Sequence, residues 1–250
     1  MRNTAGGLRT GFIIKLLLLA VTLCIFNSTI EAQDRAALLK EIETLRGQLK
    51  SREAAFLEPG VEDRAAFAEL LRQEGTRLIR LLPREEYEQK NKLTIRGGGA
   101  YYSFTRLTHE YGYGSDISLE MGNLSVGFAG VNYGLLANLG DTPLESVTLA
   151  TQGVEMLASH APPSSLSKAR AEQRRTGEGI LFENILYKRA IPAVVNNTYV
   201  LRSVDYGTSD VLVAFRVLRK DGDGSLILAW KMLKKYEVPQ LERKEARRTQ

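Results

Sequence analysis

Three segments of alternating apolar residues near the C-terminus constrain the fold of this chain most. They span residues 198–206, 210–219 and 225–236, and glycine-containing turns at 207–208 and 221–224 separate them. A period of two residues is typical of strands in an antiparallel sheet, and short turns with glycine join neighbouring strands. The segments therefore predict a three-stranded meander.

One face of this meander is the predicted main core. Any even-length loop between the last two strands brings their apolar residues to the same face. These residues are Val211, Val213, Phe215, Val217, Leu226, Leu228, Trp230 and Met232.

A second strand pair is predicted at residues 116–128, around a turn at Gly122-Asn123. This turn would pair Met121 with Leu124, Leu119 with Val126 and Ile117 with Phe128, all on one buried face. The solvent face would hold Ser118, Glu120, Ser125 and Gly127. Further strands are expected at 100–107 and 132–139, for a total of about eight to ten.

The N-terminal region changes to a helical period. Between residues 35 and 56, apolar residues follow alternating steps of four and three, interrupted only by Arg52: Leu38, Ile42, Leu45, Leu49 and Phe56. This heptad pattern predicts an amphipathic helix that either packs on its own domain or pairs with another helix as a coiled coil.

A second helix is expected at 62–74, with Phe67, Leu70 and Leu71 on one face and Gly75 after its end. Residues 76–82 either continue that helix or form a strand, and Pro83 ends either structure.

Residues 161–179 differ from their surroundings and predict a polar surface excursion. We expect a short exposed helix at 164–175, capped by Ser164 or Ser165 and ended by Gly177. Its basic residues suit a solvated connector or contact with an anionic surface; they are Lys168, Arg170, Arg174 and Arg175.

Together these patterns predict an α+β protein that is mostly β. Two N-terminal amphipathic helices lead into an antiparallel β-sheet domain, a sandwich or an open barrel, that ends in the meander. The expected divisions are a signal peptide at 1–32, a helical segment at 33–83, the β domain at 84–240 with the excursion at 161–179, and a charged tail at 241–250.

The first 32 residues are typical of an export signal. Arg2, Arg9 and Lys15 precede the apolar run 16–26, and a polar region leads to Ala32. The run is much shorter than the roughly 20 residues of a membrane-spanning helix, so cleavage after Ala32 is favoured over an uncleaved anchor. We therefore expect an exported protein without an integral membrane span after cleavage. Its expected location is periplasmic or extracellular, in a bacterium.

The net charge, the single cysteine, the two histidines and the glycine clusters argue against nucleic acid, thiol chemistry, metals and nucleotide cofactors. Cleavage would lower the formal net charge from +5 to about +3, too little to indicate nucleic acid as a partner.

The only cysteine, Cys24, would leave with the signal, so no disulfide or thiol nucleophile is expected. The two histidines, His109 and His160, do not have metal-ligand spacing, and the glycine clusters do not form a phosphate or dinucleotide motif. We expect no cofactor and no metal.

The candidate binding site is the segment from His109 to Asp116, together with Tyr101 and Tyr102. His109, Glu110 and Asp116 supply groups that exchange protons, and Tyr111 and Tyr113 supply aromatic faces with a polar end. Such a platform can hold a sugar or a peptide. The alternative is a long connection whose tyrosines cover a sheet edge.

No catalytic residue is assigned, and we expect a non-enzymatic binding or structural module of the cell envelope. Its expected partners are a glycan, a peptide or an envelope protein. Two alternatives remain open. One is an extracytoplasmic hydrolase that acts on glycans or esters through loop 109–116, with Glu110 and Asp116 as its carboxyl groups. The other is a structural protein that forms homo-oligomers through the helix at residues 35–56.

Overall fold

The predicted meander lies at the centre of a five-stranded antiparallel sheet. The computed structural model describes residues 34–112 and 114–242. The sheet contains β1 (Arg77–Leu81), β5 (Tyr133–Asn138), β9 (Thr198–Asp205), β10 (Ser209–Lys220) and β11 (Leu226–Lys235). Its strand order is β1-β11-β10-β9-β5, so the three meander strands are consecutive neighbours as predicted.

A second antiparallel sheet of four strands is built mainly from the middle of the chain. It contains β2 (Tyr101–Tyr102), β3 (Ile117–Glu120), β4 (Asn123–Ser125) and β8 (Ala190–Pro192), in the order β2-β3-β4-β8. The strands β6 (Ile180–Phe182) and β7 (Ile185–Tyr187) pair as a separate hairpin. The described residues thus form eleven strands, and the one predicted at 100–107 is only two residues long.

The two larger sheets contribute to one hydrophobic cluster. All eight predicted meander residues belong to it, with Met232 only partly buried. The four-stranded sheet adds Ile117, Leu119 and Leu124. The predicted core face is therefore confirmed, as is the α+β class with antiparallel sheets. The opposite face of β10 supplies Leu212 and Ala214 to a second cluster.

The β3–β4 hairpin has the predicted faces but a different register. Leu119 pairs with Leu124, and the turn falls at Met121 and Gly122 instead of Gly122 and Asn123. Both turn residues have positive φ, 48° for Met121 and 73° for Gly122, as a type I′ turn requires. The shift moves each pairing by two residues, and Ile117, Leu119, Leu124 and Val126 stay on the buried face. The predicted burial of the other two residues is wrong: Met121 is 72% exposed, and Phe128 lines a pocket on the opposite face.

Six α-helices lie in the described residues. They are α1 (34–57), α2 (Val61–Ala66), α3 (Ala68–Leu71), α4 (Arg84–Tyr87), α5 (Glu155–Ser159) and α6 (Leu166–Glu178). The helix predicted at 35–56 is confirmed by α1. The predicted surface helix corresponds to α6, in which the Ser165 side chain accepts a hydrogen bond from the Lys168 N–H. This helix ends before Gly179, which has φ of 92°, and not at Gly177.

The prediction of one continuous helix at 62–74 is wrong, because this segment forms two short helices, α2 and α3. Phe67 has φ of −109° and ψ of 24° and separates α2 from α3. The two segments have different anchors: Asp63 of α2 is buried and forms an ion pair with Arg219, whereas Leu70 of α3 packs on the second cluster. The following residues form strand β1, one of the two predicted alternatives.

The chain divides into two units between Arg52 and Glu53. Among the residues that the structure describes, none of the helices combines the length and apolar character needed to cross a bilayer. The predicted signal peptide and residues 243–250 of the predicted tail lie outside the described residues.

Candidate functional site

An open pocket of about 490 Å³ lies on the face of the four-stranded sheet that points away from the shared core. We call it the sheet pocket. It is lined by Arg84, Glu88, Tyr101, Tyr111, Ser118, Glu120, Ser125, Phe128, Arg189 and Ala190. Its volume lies within the range of small-molecule sites, about 300–1,000 Å³.

The floor of the sheet pocket is one row of cross-strand neighbours. Tyr101 pairs with Ser118, Ser118 with Ser125, and Ser125 with Ala190. Successive residues of a strand point to opposite faces. Because Leu119 points into the shared core, Ser118 and Glu120 on either side of it face the pocket. The alternation of β3 and β4 therefore produces a row of hydroxyl groups.

Aromatic rings form one wall. The ring centroids of Tyr101 and Tyr111 are 4.5 Å apart, and Phe128 meets Tyr101 edge-on at 5.2 Å. The exposed Arg96 guanidinium lies 5.2 Å from the Tyr111 ring centroid. Burial raises the pKa of Tyr101 above its ordinary value, which the nearby Arg84 opposes. The Tyr101 hydroxyl therefore keeps its proton at neutral pH and can donate a hydrogen bond.

The glycines at 97–99 allow the walls to approach one another. Each has positive φ, from 58° to 88°. A Cβ on Gly98 would lie 2.4 Å from the Glu88 backbone nitrogen, and one on Gly97 would lie 2.6 Å from the Tyr101 ring. Only glycine fits both the backbone conformation and this close approach. The triple glycine thus places Glu88 and Tyr101 at the same pocket.

Two arginines and two glutamates give the lining side chains no net formal charge. Arg84 bonds with Glu88 and, at 3.0 Å, with Glu120. The hydrogen bond with Glu88 raises the pKa of Arg84. Arg189 instead donates to the carbonyl oxygens of Val126, at 3.1 Å, and Gly127, at 2.5 Å. The pocket therefore has a carboxylate-rich side and a cationic side.

Of the six sequence-predicted site residues that the structure describes, Tyr101 and Tyr111 line the sheet pocket and the other four do not. Tyr102 points into the shared core, where burial raises its pKa to about 12. His109 packs edge-on against Tyr102, with ring centroids 4.9 Å apart. Burial lowers the pKa of His109, so its ring is neutral at pH 7, and its Nε2–H donates to the Arg80 carbonyl at 2.6 Å. These contacts give Tyr102 and His109 a structural role.

The predicted carboxyl groups are not brought together in an open cleft. Asp116 is fully buried, and its Oδ2 accepts a hydrogen bond from the Phe104 N–H at 2.8 Å. Burial raises the pKa of Asp116 to about 7. Glu110 is exposed and does not line the sheet pocket. Tyr113 lies outside the described residues.

Eight residues of the sheet pocket were missed as site residues. The pattern of residues 116–128 already placed Ser118, Glu120 and Ser125 together on the polar face of a hairpin. This shared face could have identified them as candidate site residues. Arg84 and Arg189 carry no such signal, because they are distant in sequence and line the same pocket only in the folded chain.

The described residues contain no cluster of three or more His, Cys, Asp or Glu side chains suited to a metal ion. In comparisons with known proteins, no family model, no curated protein and no solved structure matches this chain.

Proposed function

We propose that this protein is an exported, non-enzymatic binding module that holds a neutral saccharide in the sheet pocket. The observation that carries the proposal is the combination of an aromatic wall, a row of hydroxyl groups and balanced charges in one pocket of about 490 Å³. The export part rests on the basic, apolar and polar order of residues 1–32. The shared core of the two sheets favours a sandwich over an open barrel.

The chemistry of the lining suits a sugar ring. Tyr111 and Phe128 offer flat apolar surfaces for the C–H face of a sugar. Ser118, Ser125 and Glu120 offer donors and acceptors for its hydroxyl groups. Because the formal charges of the lining side chains cancel, a neutral ligand fits better than a polyanion.

A peptide fits the pocket less well than a saccharide. An extended peptide gains most of its affinity from hydrogen bonds to the free backbone groups of a sheet edge. The sheet pocket instead lies on a sheet face, over backbone groups that pair between strands at Tyr101, Ser118, Ser125 and Ala190. The pocket therefore offers side chains to a ligand.

The positions of the carboxyl groups favour binding over hydrolysis. A glycosidase needs two carboxyl groups that flank one substrate bond across a cleft. Asp116 is buried and Glu110 is exposed, while Glu88 and Glu120 in the pocket both bond to the same Arg84. This arrangement supports a module that binds its ligand without cleaving it.

Saturation-transfer NMR with maltotriose, cellotriose and chitotriose, each at about 5 mM, tests the proposal. We expect signal from at least one of them, and at least about tenfold weaker binding after Tyr111→Ala, because the stacking surface is lost. Tyr206→Ala is the matched control, because Tyr206 is also half-buried but does not line the pocket.

Two results would contradict the proposal. One is the absence of signal from all three sugars, and the other is equal binding by Tyr111→Ala and the unchanged protein. Release of shortened sugars during the experiment would instead support the hydrolase alternative.

A further inference from the structure

The apolar stripe of α1 is exposed along its length. We call Leu38, Ile42, Leu45 and Leu49 the seam; their exposed fractions are 57%, 43%, 55% and 44%. Single exposed leucines are common on protein surfaces, but a contiguous apolar stripe marks an interaction surface.

The spacing of the seam defines the partner. Steps of four, three and four residues place Ile42 and Leu49 at heptad position a, and Leu38 and Leu45 at position d. A stripe of this period packs best against another helix with the same period, and a second copy of α1 provides one. We propose that α1 pairs with α1 of a second copy in a parallel, in-register, two-stranded coiled coil.

The charges beside the seam favour the second copy and the parallel direction. Glu41 is at position g and Arg46 is at the following position e. In a parallel in-register pair, position g of one helix faces the following position e of the other. Each Glu41 would therefore meet Arg46 of the second copy, and twofold symmetry produces this attractive contact twice.

The antiparallel arrangement that pairs the same apolar positions loses this complementarity. There, positions g face each other and positions e face each other. Glu41 would meet Gln48, and Arg46 would meet Leu39, so neither charge would find an opposite partner.

Two arginines limit the length of the seam. Arg35 occupies position a before it and Arg52 occupies position d after it. Burying either guanidinium opposite its counterpart is unfavourable, so the apolar contact is confined to about two heptads. We therefore expect a dimer that dissociates on dilution. This inference does not depend on saccharide binding.

Sedimentation velocity of the full chain between about 1 and 100 µM tests the association. We expect a monomer–dimer equilibrium. Leu45→Glu should weaken it about 100-fold or more, because it places two carboxylates in the apolar contact. Ala37→Glu is the matched control, because residue 37 lies at position c, outside the seam; it should dimerise normally.

Circular dichroism and saccharide binding show whether Leu45→Glu loses the dimer while it remains folded. Leu45→Glu should keep the β signal of the protein and any saccharide affinity while losing the dimer. A monomer at 100 µM, an oligomer of another size, or a dimer that survives Leu45→Glu would overturn the proposal. So would a monomer that binds lipid vesicles through the seam.

Charge exchange and cross-linking test the direction. Glu41→Arg and Arg46→Glu should each weaken the dimer by about tenfold, and the double variant should restore it. Leu38→Cys in a Cys24→Ser background should form an intermolecular disulfide in the parallel pair. In the antiparallel pair the two residues 38 would lie about 16 Å apart along the axis. A dimer that fails to cross-link would overturn the parallel arrangement.

Discussion

At Asp116 a carboxyl group is completely buried, and its negative charge opposes folding. Burial raises its pKa from an ordinary value of 3.8 to about 7, and the Phe104 N–H only partly opposes this effect. Between these two values the folded protein binds more protons than the unfolded chain does. The contribution of Asp116 to stability therefore falls as pH rises from about 4 to about 7.

We expect Asp116→Asn to stabilise the protein at pH 8.5 by about 1–3 kcal/mol. The neutral amide avoids burial of a charge, and its oxygen can still accept from the Phe104 N–H. At pH 5 the difference should be small, because Asp116 is then largely protonated. Urea unfolding followed by the fluorescence of Trp230 at both pH values measures this effect.

Asp141→Asn provides the matched control, because the side chain of Asp141 is 80% exposed. This variant should keep the pH dependence of the unchanged protein. If Asp116→Asn loses the same stability at pH 5 and at pH 8.5, hydrogen bonding at Asp116 matters more than its charge.

At the scale of elements, the triple glycine joins α4 to β2 and so shapes the sheet pocket. Gly98 has φ of 58°, and the Glu88 backbone leaves no space for a Cβ. Glu88 in turn bonds with Arg84 at the pocket. A change at one small residue is therefore expected to affect both folding and ligand binding.

We expect Gly98→Ala to lower the free energy of unfolding by about 2–4 kcal/mol, from backbone strain and overpacking. It should also weaken saccharide binding, because Glu88 must move away. Gly112→Ala is the control: Gly112 lacks positive φ, and a Cβ there would meet nothing within 4 Å. Chemical unfolding of both variants tests this expectation, and equal losses would contradict it.

Elements with strong periodicity were predictable, and elements fixed by distant contacts were not. The meander strands and their core face follow from strict alternation over long segments. The β3–β4 turn was misplaced because Gly122 suits either turn position, and moving the turn by one residue still keeps Leu119 and Leu124 on the buried face. The break at Phe67 was missed because no local signal marks it, and the ion pair of Asp63 with Arg219 joins residues that are distant in sequence.

Of the candidate site, the sequence predicted only the aromatic residues that stand close to glycines in the chain. Tyr101 and Tyr111 stood near glycines and were recognised. The sequence pattern could not show that Asp116 is buried, because burial depends on packing between distant strands. Arg202 shows the same limit: it lies buried within β9, and Asp210 on the neighbouring strand β10 supplies its paired charge.

At the scale of the whole molecule, the two units are expected to differ in their contribution to stability. The side chains of residues 34–52 are all exposed, so they bury little apolar surface within the chain. The second unit contains both larger sheets and the three core clusters. The free energy of folding should therefore come almost entirely from residues 53–250.

We expect a chain that begins at Glu53 to unfold cooperatively, with a midpoint within about 5 °C of the full chain measured below its dimer concentration. Glu53 accepts hydrogen bonds from Thr94, and Leu57 packs with Leu82 and Tyr87, so both anchors of the last turn of α1 remain. The shortened chain should also be monomeric at 100 µM. Scanning calorimetry and sedimentation measure these properties. A much lower midpoint would mean that residues before Glu53 stabilise the fold of the monomer, and the exposed seam would then need a partner within its own chain.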